Sequence, residues 1–255
     1  MTNQNQELIE YDISGTTTLD VISEANKFNR WMYNTIKPFC KGNVIEIGSG
    51  IGNISQYFLD DGFQVRLTDV RTDYCEKLEQ KFSGSSNLLG VECIDLTDEF
   101  FDDKYSDHFN KYDTVFALNV VEHILDDSLA VMNCKKLLVD GGNLIILVPS
   151  YQSLYNLFDI ELGHYRRYTT KSLCKVFLKS EINVIHKQYF NLIGILGWYV
   201  SGNILKRKTI PMGQMRLYNT LVPIFRVIDK LILNSMGLST IVVGKKQCTT
   251  KPKPH

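Results

Sequence analysis

Val44-Ile45-Glu46-Ile47-Gly48-Ser49-Gly50-Ile51-Gly52-Asn53 is the stretch on which the fold of this chain turns. Residues suited to a buried strand run straight into three alternate glycines, with one acid inside the strand. Glycine has no Cβ and tolerates positive φ, so three in five positions mark a turn where a ligand lies against bare main chain. A dinucleotide-binding turn, G-x-G-x-x-G counted from Gly48, requires glycine at position 53, where Asn53 stands. The alternative is a glycine-rich tight turn with no ligand.

Outward from this turn, apolar runs alternate with helical patterns, as in a parallel sheet with crossover helices. Strands are predicted at Asn43–Ile47, Gln64–Thr68, Leu88–Ile94, Tyr112–Leu118, Asn143–Val148, Asn183–Phe190 and, after a turn at Gly237, Ser239–Gly244. Helical spacing of Leu19, Ile22, Ala25, Phe28, Trp31, Met32 and Ile36 predicts one N-terminal helix over Leu19–Lys37, ended by Pro38. Another helix is expected around Thr170–Leu178. Residues 1–42 then form a helical cap, 43–190 a ligand-binding core, 191–238 a helical insertion, 239–246 the last strand and 247–255 a tail, all within one domain.

Asp69 ends the second strand, where an open α/β sheet presents a carboxylate to ribose hydroxyls; it can equally cap the next helix. Asp95 follows the third predicted strand and can cap a turn. After the fourth comes Asn119-Val120-Val121-Glu122-His123-Ile124, in which a histidine is more often structural than catalytic.

The G-x-G-x-G preceded by Glu46 resembles motif I of the class I S-adenosylmethionine-dependent methyltransferases, and N-x-x-E-H resembles the ubiquinone and menaquinone methyltransferase type. The resemblance covers roughly Asn43 to Ser150 by motif and reaches the last strand by order of elements. It implies a Rossmann-like α/β three-layer sandwich with seven strands in order 3-2-1-4-5-7-6, strand 7 antiparallel. It also implies S-adenosyl-L-methionine as cofactor, with Glu46, Gly48, Ser49, Gly50 and Gly52 at the loop. Asp69 and Val70 then serve the ribose, Asp95 and Leu96 the adenine, and Asn119, Val120 and His123 the methionine side. The acceptor is expected after strand five.

There Asp159-Ile160-Glu161-Leu162-Gly163-His164-Tyr165-Arg166-Arg167-Tyr168-Thr169 is dense in titratable and aromatic groups. His164 is the candidate general base, and Arg166 or Arg167 can grip a carboxylate or phosphate. Tyr151, Tyr165, Tyr168 and Trp198 complete the expected acceptor site. The plainer reading pairs Arg167 with Asp159 or Glu161 and lets the aromatics pack the loop. The run L-G-H-Y-R-R-Y-T also looks like one found in bacterial small-molecule and glycan-associated methyltransferases. Aminopropyl transfer fits less well, because paired arginines do not suit a polycation.

The insertion, with Ile193, Leu196, Trp198, Tyr199 and later Leu221 to Leu231, is too apolar to stand exposed. It reads as a lid over an apolar substrate, with a homodimer surface or a peripheral membrane contact through Lys206, Arg207 and Lys208 as alternatives. The stretch Phe190–Leu205 is too short and interrupted to span a bilayer.

With 44% hydrophobic and 22% charged residues and zero net charge, a disordered chain is excluded and a nucleic-acid partner is not expected. The six cysteines, Cys40, Cys75, Cys93, Cys134, Cys174 and Cys248, show no C-x-x-C pair, and no histidine cluster has metal-ligand spacing, so no metal is expected. Met1–Asp12 lacks the positive start and apolar run of a secretory signal, which points to the cytoplasm. A small-molecule methyltransferase is therefore expected, the rival being a binding protein that keeps the fold and holds a partner on its insertion.

Overall fold

The computed structural model describes residues 17–207, 209 and 211–248; Met1–Asp12, Lys208 and the tail beyond 248 lie outside them. Seven strands form one sheet in the order β3-β2-β1-β4-β5-β7-β6. They are β1 (Asn43–Ile47), β2 (Gln64–Asp69), β3 (Leu88–Cys93), β4 (Tyr112–Leu118), β5 (Leu138–Pro149), β6 (Ile182–Phe190) and β7 (Ser239–Lys246). The pairs among β1 to β5 are parallel, and β7 runs antiparallel to both β5 and β6. This is the strand order, with an antiparallel β7, that the resemblance to class I methyltransferases implies.

Period-two alternation sorts the strands' side chains into two cores. Ile45, Ile47, Val115, Ala117, Ile146 and Val242 pack against α5 (Asp127–Leu137) and α7 (Thr170–Lys179). Val44, Val65, Leu67, Phe116, Ile145 and Val243 pack against α1 (Asn26–Ile36), α2 (Ser55–Asp60), α3 (Thr72–Phe82) and α9 (Met212–Leu231). Helices on both faces explain why the central strands read as unbroken apolar runs. Shorter helices α4 (Phe101–Lys104), α6 (Leu157–Glu161) and α8 (Leu192–Trp198) lie in the connections.

The single helix predicted over Leu19–Lys37 is in fact two. Residues 17–23 are helical, the chain breaks at Ala25, and α1 begins at Asn26. Ala25 offers no side-chain cap; the Oδ1 of Asn219, on α9, accepts from the backbone N–H of Lys27 at 2.9 Å and of Phe28 at 3.1 Å. At the break Ile22 O accepts from the Ala25 backbone N–H and from the Asn29 side chain, each at 2.9 Å. Asn219→Ala is expected to lower the free energy of urea unfolding by about 1 kcal/mol, the usual worth of a helix N-cap, with the fold unchanged.

The two ends of the insertion are tied together by buried polar contacts. Asp229 on α9 accepts from the backbone N–H of Asn191 at 2.6 Å and of Leu192 at 2.9 Å, capping α8 from a distance. Gly237 lies against Phe190, where a Cβ would fall 2.3 Å from the carbonyl oxygen. Among the described residues no helix is long and apolar enough to cross a membrane.

Candidate functional site

Past Ile47 the chain turns through Gly48, Gly50 and Gly52, with φ of 70°, 54° and 77°. The loop is laid over the end of β2: Ser49 N donates to Thr68 O at 2.7 Å, and Gly50 N to Asp69 Oδ2 at 2.8 Å. Each glycine is bare for its own reason. A Cβ at Gly48 would lie 2.4 Å from Val120, and one at Gly50 3.1 Å from Leu19. At Gly52 it would strike Phe82 at 2.4 Å. Gly52 packs on α3 and, unlike Gly48 and Gly50, does not border the main cavity.

That cavity, about 970 Å³, opens at the carboxyl ends of β1, β2 and β4. Ligand pockets run from roughly 300 to 1,000 Å³, so it has room for a nucleoside-sized molecule and a second reactant. It brings together Glu46, Gly48, Ser49, Gly50, Asp69, Val70, Asp95, Leu96, Asn119, Val120 and His123 from the cofactor set, and His164, Tyr165, Arg167 and Trp198 from the acceptor set. The insertion supplies Gly194, Trp198, Ser201, Gln214, Met215 and Tyr218 to the wall, while Leu217, Ile224, Val227 and Leu231 of α9 stay exposed on its outer side.

Asp69 is buried, and burial raises its pKa. Its Oδ2 accepts from Gly50 N and its Oδ1 from Arg71 N at 3.1 Å, leaving each carboxylate oxygen a second lone pair. Asp95 does cap a turn, accepting from Thr97 N and Oγ1 at 2.7 Å, and still lines the cavity. Asn119 adopts φ of 55°, the left-handed region, and is exposed to the cavity.

Glu46 sits at the base of the loop, its Oε2 accepting from the Ser55 hydroxyl. Burial pushes it up to about 8, against the pull of hydrogen bonds from Ser55 and Ser49. The folded state thus holds a proton that the unfolded state loses near 4.5, so its contribution to stability is lost as pH rises toward about 8. In ligand-free protein, Glu46→Gln is expected to flatten the fall in urea-unfolding free energy across that window by on the order of 3 kcal/mol.

The acceptor loop splits along its length. His164 and Arg167 point inward around buried Asp159: its Oδ1 meets His164 Nδ1 at 2.7 Å and accepts from Arg167 Nε at 2.8 Å. Burial would raise the Asp159 carboxyl, but these two partners more than reverse it. Arg167 also donates to Ser150 O at 3.1 Å and lies 4.4 Å over the Trp198 ring, so it is committed within the protein. Three expected acceptor residues lie outside the cavity lining. Arg166 donates to Asp127 at 3.1 Å and Leu125 O at 2.7 Å; Tyr168 donates to Asp127 at 3.0 Å; Tyr151 stacks on Tyr189 with centroids 5.1 Å apart. Local partners take up the polar groups of Arg166 and Tyr168 that were expected to meet substrate.

Glu122 is the residue that sequence reasoning passed over. It is fully buried beside His123 and His164 at the same cavity, although no spacing in the sequence relates it to His164.

A family model described as a methyltransferase domain matches residues 45–144, from β1 into β5. Over that segment, about two fifths of its length, the chain is similar to the methyltransferase domain family. The chain is 28% identical over 115 residues to the lovastatin nonaketide synthase of Monascus pilosus, an alignment covering 44% of the chain and 4% of that protein. The chain thus spans a small fraction of the curated relative's length. Among solved structures, Haemonchus contortus phosphoethanolamine N-methyltransferase 2 in complex with S-adenosyl-L-methionine aligns with a TM-score of 0.56 at 16% identity, covering 84% of this chain and 51% of that chain. The CurJ carbon methyltransferase aligns with a TM-score of 0.55 at 14% identity, covering 88% and 54%. At these identities the likeness is one of fold.

Proposed function

We propose that this protein moves the methyl group of S-adenosylmethionine to an oxygen or nitrogen of a small, partly apolar metabolite in the cytoplasm. The observation that carries the reading is the bare main chain of Gly48 and Gly50 beside Asp69, at the mouth of a cavity of about 970 Å³. A nucleoside fits those groups: Gly48 and Gly50 present main chain to the cavity, and Asp69 keeps lone pairs for a diol. When bound, the cofactor supplies an electrophilic methyl carbon on a sulfonium.

Glu46, Gly48, Ser49, Gly50, Asp69, Val70, Asp95, Leu96, Asn119, Val120 and His123 would hold it. His164, Tyr165, Arg167 and Trp198 would form the acceptor's side. Methyl transfer is an in-line displacement, so the protein's main tasks are alignment and exclusion of water. The insertion's contribution to the cavity wall supports its reading as a lid.

Incubating the protein and a cell extract with cofactor labelled in its methyl group tests this. Label is expected in an extractable small molecule, together with S-adenosylhomocysteine. Label retained on the cofactor, despite binding seen by titration calorimetry, favours the scaffold reading; no binding by folded protein overturns both.

A further inference from the structure

We propose that Glu122, His123 and His164 form a three-ligand site for a divalent transition-metal ion of the zinc or iron(II) class, open to the cavity. One donor atom from each residue lies within 4.8 Å of the other two. A bound ion about 2.1 Å from each donor would draw them closer by roughly an ångström, within reach of side-chain rotation.

The carboxylate is the first sign. Glu122 has no solvent exposure, and among the described residues neither of its oxygens has a hydrogen-bond partner. Buried polar groups are normally satisfied, and an orphan carboxylate carries the full cost of its lost hydration. A cation between the side chains supplies what the protein does not.

The two imidazoles are the second sign. Metal-binding histidines usually donate their remote N–H to a carboxylate or backbone carbonyl, which fixes the tautomer and turns the other nitrogen toward the ion. His164 Nδ1 is held by Asp159 at 2.7 Å, which leaves Nε2 facing Glu122 Oε1 at 4.0 Å. The His123 ring is hydrogen-bonded to the backbone of Leu162, and the two rings meet edge to face with centroids 4.7 Å apart.

Charge agrees. Once a metal ion has displaced the proton that burial keeps on Glu122, ionised Glu122 and Asp159 outweigh Arg167 by one negative charge beside neutral imidazoles, and Arg167 is already engaged with Asp159. A dication leaves the cluster singly positive, matched to an anionic oxygen of the acceptor. Two nitrogens and one carboxylate with further positions open is the ligand set of catalytic zinc and of mononuclear iron(II), whereas magnesium and calcium prefer oxygen.

The use of the ion rests on the methyl-transfer reading; the site itself does not. An acceptor hydroxyl bound there loses its proton to solvent. Its oxygen then forms the bond to the methyl carbon as the carbon–sulfur bond breaks and the sulfonium becomes a neutral thioether. His164 serves as a ligand in place of the free base expected from the sequence.

The test uses the full chain, treated with a chelator and then titrated with Co²⁺, read by visible absorption, and with Zn²⁺, read by calorimetry. One equivalent per chain is expected, and Glu122→Gln, nearly isosteric, and His164→Gln should each weaken binding by about 100-fold or more, beyond the effect typical of an outer-shell partner. Wild-type protein that binds neither ion, or binds them no more tightly than both variants, overturns the site. S-adenosylhomocysteine is titrated into the same chelated sample: binding there with no metal site leaves the methyl-transfer reading standing, and its absence defeats that reading whatever the metal does.

Discussion

Asp69→Ala should weaken S-adenosylhomocysteine binding by about two to three orders of magnitude in titration calorimetry, more than any other single change in the nucleoside half of the cavity. Two hydrogen bonds to a charged acceptor are each worth roughly 1.5–3 kcal/mol, and a ribose diol would make both. The same carboxylate already holds Gly50 N and Arg71 N, so its loss also loosens the loop that the ligand must lie against. Asp69→Asn separates the two effects. One amide oxygen still accepts, but the NH₂ replaces an acceptor where Gly50 N or Arg71 N needs one, so an intermediate loss of about 10- to 100-fold is expected. Since burial raises the Asp69 pKa, wild-type affinity should begin to fall at a higher pH on acidification than for an ordinary carboxylate, and Asp69→Asn should lack that fall. Equal affinity in wild type and Asp69→Ala would remove Asp69 from the ligand site.

The parts of this architecture that could be read in advance are those fixed by short-range chemistry. β1 and β4 occur at the predicted bounds, Asn43–Ile47 and Tyr112–Leu118, because a strand covered on both faces needs a continuous apolar run and polar residues stop it. Positive φ at the three alternate glycines follows from the same logic. Contacts made across the fold were not legible. The break at Ala25 depends on Asn219, 192 residues from Lys27. Gly52 shares a motif with Gly48 and Gly50, yet those two border the main cavity and Gly52 packs on α3 instead. In the acceptor loop the composition promised a polar site without saying which residues face it: Arg167 turns in to Asp159, whereas Arg166, its neighbour, turns out to Asp127. Glu122 and His164 are 42 positions apart, so a search by ligand spacing passes over a cluster that exists only after β4 and the loop beyond β5 are set side by side.

Arg167→Met is expected to be the most destabilising single change around the acceptor wall, lowering the free energy of urea unfolding by about 3–5 kcal/mol, the cost of breaking a buried ion pair from one side. Asp159 would keep only His164 and the backbone N–H of Asn156, at 3.0 Å, and Ser150 O would lose its guanidinium donor. Methionine replaces much of the buried stem, so the loss measures charge and hydrogen bonding more than a cavity. Removing the orphaned charge as well, in Arg167→Met with Asp159→Asn, should recover a large part of the stability, because an uncompensated buried carboxylate costs more than a neutral amide. Additive losses in that cycle would mean that Arg167 stabilises the fold through Trp198 and Ser150 alone. A strong coupling would instead make Asp159 the residue that ties the loop's arginine and histidine into one rigid unit, and hence the one that fixes which nitrogen of His164 faces the cavity.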